Sequence, residues 1–195
     1  MKKRIIIGIS GASGVIYGVR ALQHLRGRED LETHLVLSEG GALNLRIETE
    51  YSLDEVKGMA DVVHRPDNLA ATIASGSFLT VGMMVMPCSI KSLSGIVHSY
   101  ADSLLTRAAD VCLKEKRKLL LSVRETPLHK GHLEMMAKAD DLGAMILPPV
   151  PAFYHQPKSI DEIIDQTVGK AFDYFQIEHD LFTRWGQGHS ETHAK

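Results

Sequence analysis

The chain has 195 residues, a formal net charge of −2 and 44% hydrophobic residues, values typical of one globular α/β domain. The lack of a basic run argues against a nucleic-acid-binding protein, and no apolar run reaches the roughly 18 residues of a membrane span. The first residues lack the pattern of a signal peptide, and only two cysteines, Cys88 and Cys112, are present. We therefore expect a soluble cytoplasmic protein with reduced thiols.

The chain begins with the pattern of a strand, a small-residue turn and a helix. The β-branched run at residues 5–9 predicts a strand buried in a parallel sheet, and residues 15–26 predict a helix. Backbone N–H groups at such a helix start favour an anion. Gly11 would allow close approach, and Ser13 could cap the helix or bond a ligand oxygen. The glycine spacing matches neither a dinucleotide motif nor a P-loop, so a phosphate-bearing ligand and a plain connection both remain open.

A second strand, predicted over residues 32–37, also ends in small polar residues. Because ligands of a doubly wound sheet lie beyond the carboxyl ends of its strands, we expect Ser38 near Ser13. An NAD site would use an acid here, and Glu39 could serve, but Ser38 suits a phosphate or a hydroxyl better. The sequence then predicts a helix over residues 42–47, a capping box at Ser52 and Glu55, and a loop over residues 64–77.

The third predicted strand, residues 81–86, stops at Pro87-Cys88-Ser89 and precedes a helix that begins at residues 90–92. This strand end again places hydroxyl groups at a helix N-terminus. Cys88 is a candidate nucleophile by residue type. No histidine nearby in the sequence is placed to activate it, so a buried structural cysteine is the preferred interpretation.

A helix predicted over residues 104–116 leads into a fourth strand, residues 119–123, which ends at Arg124 and Glu125. An arginine fork binds phosphate well, and a glutamate beside it can donate or accept a proton. The H-x-x-H-x-E pattern of residues 129–134 approaches the spacing of metal ligands. It is not a zinc signature, and an exposed helix start is the preferred interpretation.

A fifth strand is predicted over residues 144–147 and meets a proline-rich loop over residues 148–157. Proline fixes backbone angles, so this loop should hold Tyr154 in place. A last helix with a capping box is predicted from Ser159 to about residue 175.

Five strand–helix alternations predict a three-layer, Rossmann-like (flavodoxin-like) doubly wound parallel sheet. We expect one α/β domain over residues 1–185 and a polar C-terminal tail over residues 186–195. The strand ends should converge at one edge of the sheet, where they supply Ser13, Ser38, Ser89, Ser92, Arg124, Glu125 and Tyr154. One phosphate cradle fits FMN better than a dinucleotide. The further cations Arg107, Lys114 and Lys170 exceed what one FMN phosphate requires and indicate a second anion.

Six segments in chain order carry a family resemblance: GISGASGVIYGVR at 8–20, ETHLVLS at 32–38, PCSIKSLSGI at 87–96, LLTRAADVCLKE at 104–115, VRETPLH at 123–129 and PPVPAFYHQP at 148–157. Through them the chain resembles the UbiX-type flavin prenyltransferases, a family that also includes the small subunit associated with phenolic acid decarboxylases. The related flavin-cysteine decarboxylases share the fold, but their P-A-S-A-N-T segment is replaced here by Pro87-Cys88-Ser89.

This resemblance implies an enzyme that joins a dimethylallyl group, taken from dimethylallyl monophosphate, to N5 and C6 of reduced FMN. The prenylated FMN would serve a separate UbiD-type decarboxylase. The family needs no metal, because cations can neutralise the leaving phosphate. Its members form large homo-oligomers, commonly dodecamers, with sites at subunit interfaces, so Lys114 or Lys170 could act in a neighbour's site.

The resemblance also implies roles for individual residues. The FMN contacts it assigns are Gly11, Ala12, Ser13, Ser38, Ser89, Ile90, Lys91, Ser92 and Arg124. The prenyl phosphate contacts it assigns are Tyr154, Lys170, Arg107 and Lys114. Glu125 would protonate the leaving phosphate, Glu48 would stabilise a developing cation, and Ser13 would orient the flavin. Some relatives carry arginine at the position of Lys170. Lysine keeps the positive charge but lacks the bidentate fork of arginine.

Two other functions are weighed against the transferase. The chain could itself be a flavin-dependent decarboxylase of aromatic acids, but the segment of the flavin-cysteine decarboxylases is missing and the extra cations would have no use. It could also be a non-enzymatic FMN carrier or accessory subunit of a decarboxylase. Such a carrier would not need Glu48, Glu125 and Lys114, and their presence favours catalysis.

Overall fold

A computed structural model describes residues 2–186 and places six parallel strands in one sheet of order β3-β2-β1-β4-β5-β6. The strands are β1 Lys3–Ile9, β2 Leu31–Leu37, β3 Val62–His64, β4 Gly82–Cys88, β5 Lys118–Val123 and β6 Ala144–Ile146. The helices are α1 Ile16–Leu25, α2 Glu39–Glu48, α3 Leu53–Lys57, α4 Ile90–Val97, α5 Leu104–Lys114, α6 Lys130–Asp141 and α7 Ile160–Phe175, with a 3₁₀ turn at Thr72–Ala74.

The chain divides after Pro149 into two compact units, of which the first holds the whole sheet and the second holds α7. The expectation of one domain over residues 1–185 stays a prediction. The predicted C-terminal tail falls, apart from Gly186, outside the described residues. Within residues 2–186 no helix is long and apolar enough to cross a membrane.

The sheet of the first unit is covered by helices on both faces. On one face Ile6, Met83 and Leu121 belong to a buried cluster that includes residues from α4, α5 and α6. Strand side chains alternate between faces, so Ile9 points to the opposite face from Ile6. There α1 packs closely, because a Cβ added at Gly18 would lie 2.6 Å from Cγ1 of Ile9. The predicted three-layer, doubly wound fold class is confirmed.

Two strand predictions were wrong. The structure has a sixth strand, β3, which ends inside the stretch predicted as a loop and pairs with β2 from His34↔Val62 to Val36↔His64. Strand β4 does not stop before Pro87 but runs on to Cys88. Its pairing with β5 is irregular between Val85 and Cys88, and such an irregularity lets a proline occupy a central strand.

Two helix starts follow the predicted capping signals, although at α7 the Glu162 side chain bonds the N–H of Lys158 and does not complete the predicted capping box. Ser52 and Glu55 form the predicted capping box at α3, and Ser159 accepts the backbone N–H of Glu162 at α7. Helix α2 begins at Glu39, three residues before its predicted start, because Ser38 caps it directly after β2. The carboxyl edge of the sheet is therefore lined by helix N-termini as well as by strand ends.

Candidate functional site

A cleft of about 580 Å³ lies at the carboxyl edge of the sheet in the first unit. Seven of its lining residues were predicted as site residues: Gly11, Ser38, Ser89, Ile90, Lys91, Ser92 and Glu125. Eight others line it as well: Glu39, Gly40, Pro66, Asp67, Asp102, Ser103, Leu105 and Thr106. The structure thus brings the ends of β1, β2, β4 and β5 to one place, as the parallel topology requires.

Two glycines form one wall of the cleft by bringing their backbones together. A Cβ added at Gly11 would lie 3.0 Å from Cα of Gly40, and a Cβ added at Gly40 would lie 3.0 Å from Cα of Gly11. A side chain at either position would therefore require the β1–α1 turn and α2 to move slightly apart. This wall is therefore bare backbone, which a planar or phosphorylated ligand can approach closely.

Three serines organise the helix starts around the cleft. The Oγ of Ser38 accepts the N–H of Gly41 at 3.0 Å, and the Oγ of Ser89 accepts the N–H of Ser92 at 3.2 Å. A third serine, Ser103, caps α5 through the N–H of Thr106. Each helix start has several N–H groups without an intrahelical partner, so those that the caps do not use remain for an anionic ligand.

The position of Ser89 depends on a buried residue that sequence reasoning treated only as part of the turn. Ser10 is fully buried, and its Oγ donates to the carbonyl of Pro87 at 2.9 Å and accepts the N–H of Ser89 at 2.7 Å. These two bonds tie the end of β1 to the end of β4. A serine directly after a buried β1 strand was the only sequence signal for this role.

The start of α1 differs from the prediction. Ser13 does not cap this helix, whose N-cap is Val15 and has no side-chain cap. Instead Glu48, from the end of α2, accepts the N–H groups of Gly14 and Val15 at 2.7 and 3.3 Å through its Oε2. A carboxylate is favoured at a helix N-terminus, so Glu48 takes the position expected for a capping serine.

Arg124 and Glu125 lie where the strand order placed them, after β5. The backbone N–H of Arg124 donates to the carbonyl of Cys88 at 3.0 Å, and Glu125 lines the cleft. Burial raises the pKa of the Tyr17 hydroxyl on α1, and the nearby Arg124 charge offsets part of that rise. Tyr17, the second residue of α1, was not predicted as a neighbour of Arg124, because the two are far apart in the sequence.

Two of the predicted phosphate ligands are not brought to the cleft within this chain. Arg107 donates to the carbonyl of Ala74 at 3.2 Å and to the carboxylate of Asp110 at 3.0 Å. Lys114 is at the last position of α5, whose first turn lines the cleft, and pairs with Glu115. A helix of this length places Lys114 about 15 Å from the cleft end of α5.

The other two, Tyr154 and Lys170, belong to the second unit. The ring of Tyr154 makes an edge contact with that of Trp185, with centroids 5.6 Å apart. The Nζ of Lys170 lies 5.6 Å from the centroid of the Phe182 ring. Trp185 and Phe182 were not singled out from the sequence, where they stand in a polar segment without a helix or strand pattern.

Cys88 and His129 have the structural roles that the sequence favoured. Cys88 is fully buried, and burial raises the pKa of its thiol to about 12, which makes it a poor nucleophile. His129 is the N-cap of α6 and accepts the N–H of Gly131, as expected for a helix start. Across residues 2–186, no group of three or more histidine, cysteine or acidic residues is arranged to hold a metal ion.

Comparison with known proteins identifies the family of the chain. Residues 1–179 match the family model described as Flavoprotein. The flavin prenyltransferase UbiX of Escherichia coli (strain K12) is 61% identical over 185 residues, which cover 94% of this chain and 98% of that protein.

Two solved structures have the same fold over nearly the whole chain. AnUbiX (PadA1), in complex with FMN and dimethylallyl pyrophosphate, superposes with a TM-score of 0.93 at 43% identity, covering 95% of this chain and 98% of that one. A dodecameric FMN-dependent UbiX-like decarboxylase from Escherichia coli O157:H7 superposes with a TM-score of 0.91 at 47% identity, covering 93% and 98%. The chain therefore belongs to the Flavoprotein family and, within it, to the UbiX-type flavin prenyltransferases.

Proposed function

We propose that this flavin prenyltransferase transfers a dimethylallyl group from dimethylallyl monophosphate to N5 and C6 of reduced FMN. The observation that carries the proposal is the cleft itself, in which a bare glycine wall, three capped helix starts and the carboxylate of Glu125 meet. The 61% identity to the UbiX enzyme of Escherichia coli supports the same reaction class. The prenylated flavin would leave the site for a UbiD-type decarboxylase.

The residues of the cleft fit FMN. The Gly11–Gly40 approach would give its ring or ribityl chain a backbone surface, and the starts of α2 and α4 would bind its phosphate. The residues we assign to FMN are Gly11, Ala12, Ser13, Ser38, Ser89, Ile90, Lys91, Ser92 and Arg124. When bound, reduced FMN supplies the two nucleophilic atoms of the reaction.

Glu125 is proposed as the acid that protonates the leaving phosphate. Its side chain is exposed at the cleft, and its Oε1 accepts the N–H of Thr126 at 3.0 Å. That bond fixes one carboxyl oxygen and leaves the other to hold the proton at the phosphate. Proton transfer by a positioned carboxyl group is a common source of rate enhancement.

Glu48 is proposed to place negative charge beside the reacting prenyl carbons. Its Oε2 is held by the N–H groups of Gly14 and Val15, next to Ser13. A charge fixed in advance stabilises a developing carbocation without reorganisation during the reaction. Ser13 does not cap α1, and we assign it to orient the flavin.

Neutralisation of the prenyl phosphate is assigned to Arg107, Lys114, Tyr154 and Lys170. Lys114 lies at the far end of α5 from the cleft, so in this proposal it acts in the site of a second copy. The UbiX-like protein of Escherichia coli O157:H7 is dodecameric, which supports a homo-oligomer here. Fixed cations of this kind would neutralise the charge of the leaving phosphate, as a magnesium ion does in other phosphate-releasing enzymes.

The deciding experiment is an anaerobic incubation of the protein with reduced FMN and dimethylallyl monophosphate, followed by mass analysis of the released flavin. A flavin heavier by one five-carbon prenyl unit supports the proposal, and EDTA should leave its yield unchanged. A parallel incubation with the diphosphate tests the donor. Bound but unmodified flavin with both donors would instead identify an FMN carrier, and a loss of product with EDTA would contradict the metal-independent mechanism.

A further inference from the structure

The segment after α7, residues 177–186, is anchored to that helix through one carboxylate; we call this segment the strap. Asp173 accepts hydrogen bonds from Nη1 and Nη2 of Arg184 at 3.0 and 2.6 Å, a bidentate pair. The same carboxylate accepts from Nε2 of His179 at 3.0 Å. Asp173 therefore binds the strap at two points, five residues apart. The Arg184 hydrogen bonds hold the pKa of the Asp173 carboxyl below its usual range, so the anchor is ionised at neutral pH.

The hydrogen bonds of His179 fix its imidazole in one tautomer. Its side chain is only 4% exposed, and its Nδ1 accepts the backbone N–H of Leu181 at 3.3 Å. With Nδ1 as an acceptor, Nε2 carries the hydrogen that Asp173 accepts. Both ring nitrogens are thus used, Nδ1 within the strap and Nε2 on α7, which indicates a fixed conformation.

Between its two anchor points the strap places Phe182 on α7. A Cβ added at Gly169 would lie 2.6 Å from Cε1 of Phe182 and 2.8 Å from Cε1 of His179, so these rings pack directly on the helix backbone. The Phe182 ring then lies beneath the ammonium group of Lys170, 5.6 Å from its centroid. A cation over an aromatic face is attracted to it, which restricts where the Lys170 side chain can point.

Directly after Arg184 the strap contacts Tyr154, the other residue of this unit that is assigned to the prenyl phosphate. Trp185 follows Arg184 directly, and its ring contacts the Tyr154 ring edge to face. Tyr154 itself lies in the proline-rich loop before α7, which has no helix or strand of its own. The strap is therefore in contact with both residues of the second unit that the proposed function assigns to the prenyl phosphate.

We propose that the Asp173–His179–Arg184 anchor is a positioning device for the prenyl phosphate, which sets the orientation of Lys170 through Phe182 and of Tyr154 through Trp185. This inference rests on the proposed function. Asp173, His179 and Arg184 are positioning residues and take no part in the chemistry. The anchor should affect binding of the prenyl donor and leave binding of the flavin unchanged, because the flavin-binding residues belong to the first unit.

The test compares the full-length variants Asp173→Ala and Arg184→Gln with wild type. The control is Asp180→Asn, which removes an exposed carboxylate of the same strap that makes none of the anchor contacts. Three quantities are measured: the KM for dimethylallyl monophosphate, the Kd for FMN, and the fluorescence anisotropy of the tryptophan before flavin is added. Because the chain contains one tryptophan, Trp185, its anisotropy reports the strap alone and does not depend on activity.

We expect both anchor variants to raise the KM for the prenyl donor by roughly tenfold to a hundredfold, the range of effects caused by misplaced substrate-binding groups. Their anisotropy should fall, and their Kd for FMN should stay within twofold, about the scatter of such comparisons. The control should match wild type in all three quantities. If Asp173→Ala does not fold, Arg184→Gln decides, because its side chain is 45% exposed and its loss leaves no buried gap.

A folded variant with lowered anisotropy but a wild-type KM would overturn the positioning role. Unchanged anisotropy in both variants would overturn the anchor itself. An equal loss of FMN affinity would mean that the strap acts on the whole site. Failure of wild type to form prenylated flavin would contradict the proposed function, and this outcome is distinct because it appears before any variant is compared.

Discussion

The flavin cleft and the phosphate-binding cations are built in different ways. The cleft is shaped within one unit by the close approach of the Gly11 and Gly40 backbones and by the helix starts at Ser38 and Ser89. The cations sit on long side chains, and Lys114 lies at the wrong end of its helix to reach the cleft of its own chain. The difference indicates that flavin binding is a property of the folded chain, whereas phosphate binding depends on how side chains and copies are positioned.

The largest effect should come from removing the acid while the backbone cleft is kept. Glu125→Gln keeps the size of the side chain but cannot donate the proton, so we expect turnover to fall by about 10²- to 10⁴-fold. The Kd for FMN should not change, because Glu125 is not among the residues assigned to FMN. Turnover is measured by product mass and Kd by flavin fluorescence. Glu134→Gln, which removes an exposed carboxylate of α6, is the matched control.

A Glu125→Gln variant that supports a partner decarboxylase as well as wild type would contradict the acid role. That result would favour the FMN carrier, which needs the cleft but not the carboxylate. A variant that loses FMN instead would contradict the assignment of Glu125 to the leaving phosphate alone, since its carboxylate would then support the flavin.

The helix caps around the cleft could be predicted from the sequence. Ser38 and Ser89 follow buried strands and precede helical patterns, which are local signals with a direct physical cause. Ser103 carried a similar signal three residues before Thr106 and was overlooked. Strand β3 was missed because its three residues are too few to show a period.

Contacts between distant segments could not be read from local patterns. Glu48 meets Gly14 across 34 positions of sequence, and Ser10 meets Ser89 across 79. Both depend on the order of strands in the sheet. No residue of the strap was singled out from the sequence, because its contacts converge on one carboxylate of α7, which periodicity does not indicate.

A smaller effect should follow from cutting the tether beneath the cleft. Ser10→Ala removes both bonds of a fully buried hydroxyl and leaves the N–H of Ser89 without its acceptor. Leaving a buried donor unpaired costs about 1–3 kcal/mol, so we expect a loss of that size in the free energy of unfolding in urea. Ser77→Ala, at an exposed hydroxyl, should cost far less. Equal stability of the two variants would mean that the cleft does not depend on this tether.

The smallest effect concerns the wall of the cleft that follows strand β3. Strand β3 leads into Pro66 and Asp67, which line the cleft, and it is joined to β2 by a hydrogen bond of 2.9 Å between Nδ1 of His34 and Nε2 of His64. The other nitrogen of His34 bonds Glu32 at 3.0 Å, and Glu32 is itself paired with Arg4. With His34 donating to Glu32, its Nδ1 accepts the hydrogen on Nε2 of His64.

Burial lowers the pKa of His64 below its usual value of 6.5, and the His34 charge lowers it further. The unfolded chain therefore binds more protons than the folded one near that pH, so stability is full above it and is lost as pH falls. We expect the free energy of unfolding to decline from pH 7 to pH 5 by less than about 1.4 kcal/mol per pH unit, which is the largest slope that the uptake of one proton can cause. His64→Gln should flatten this decline, and His98→Gln, at an exposed site, should not. If His64→Gln retains the full slope, the decline does not come from His64 and this prediction is wrong.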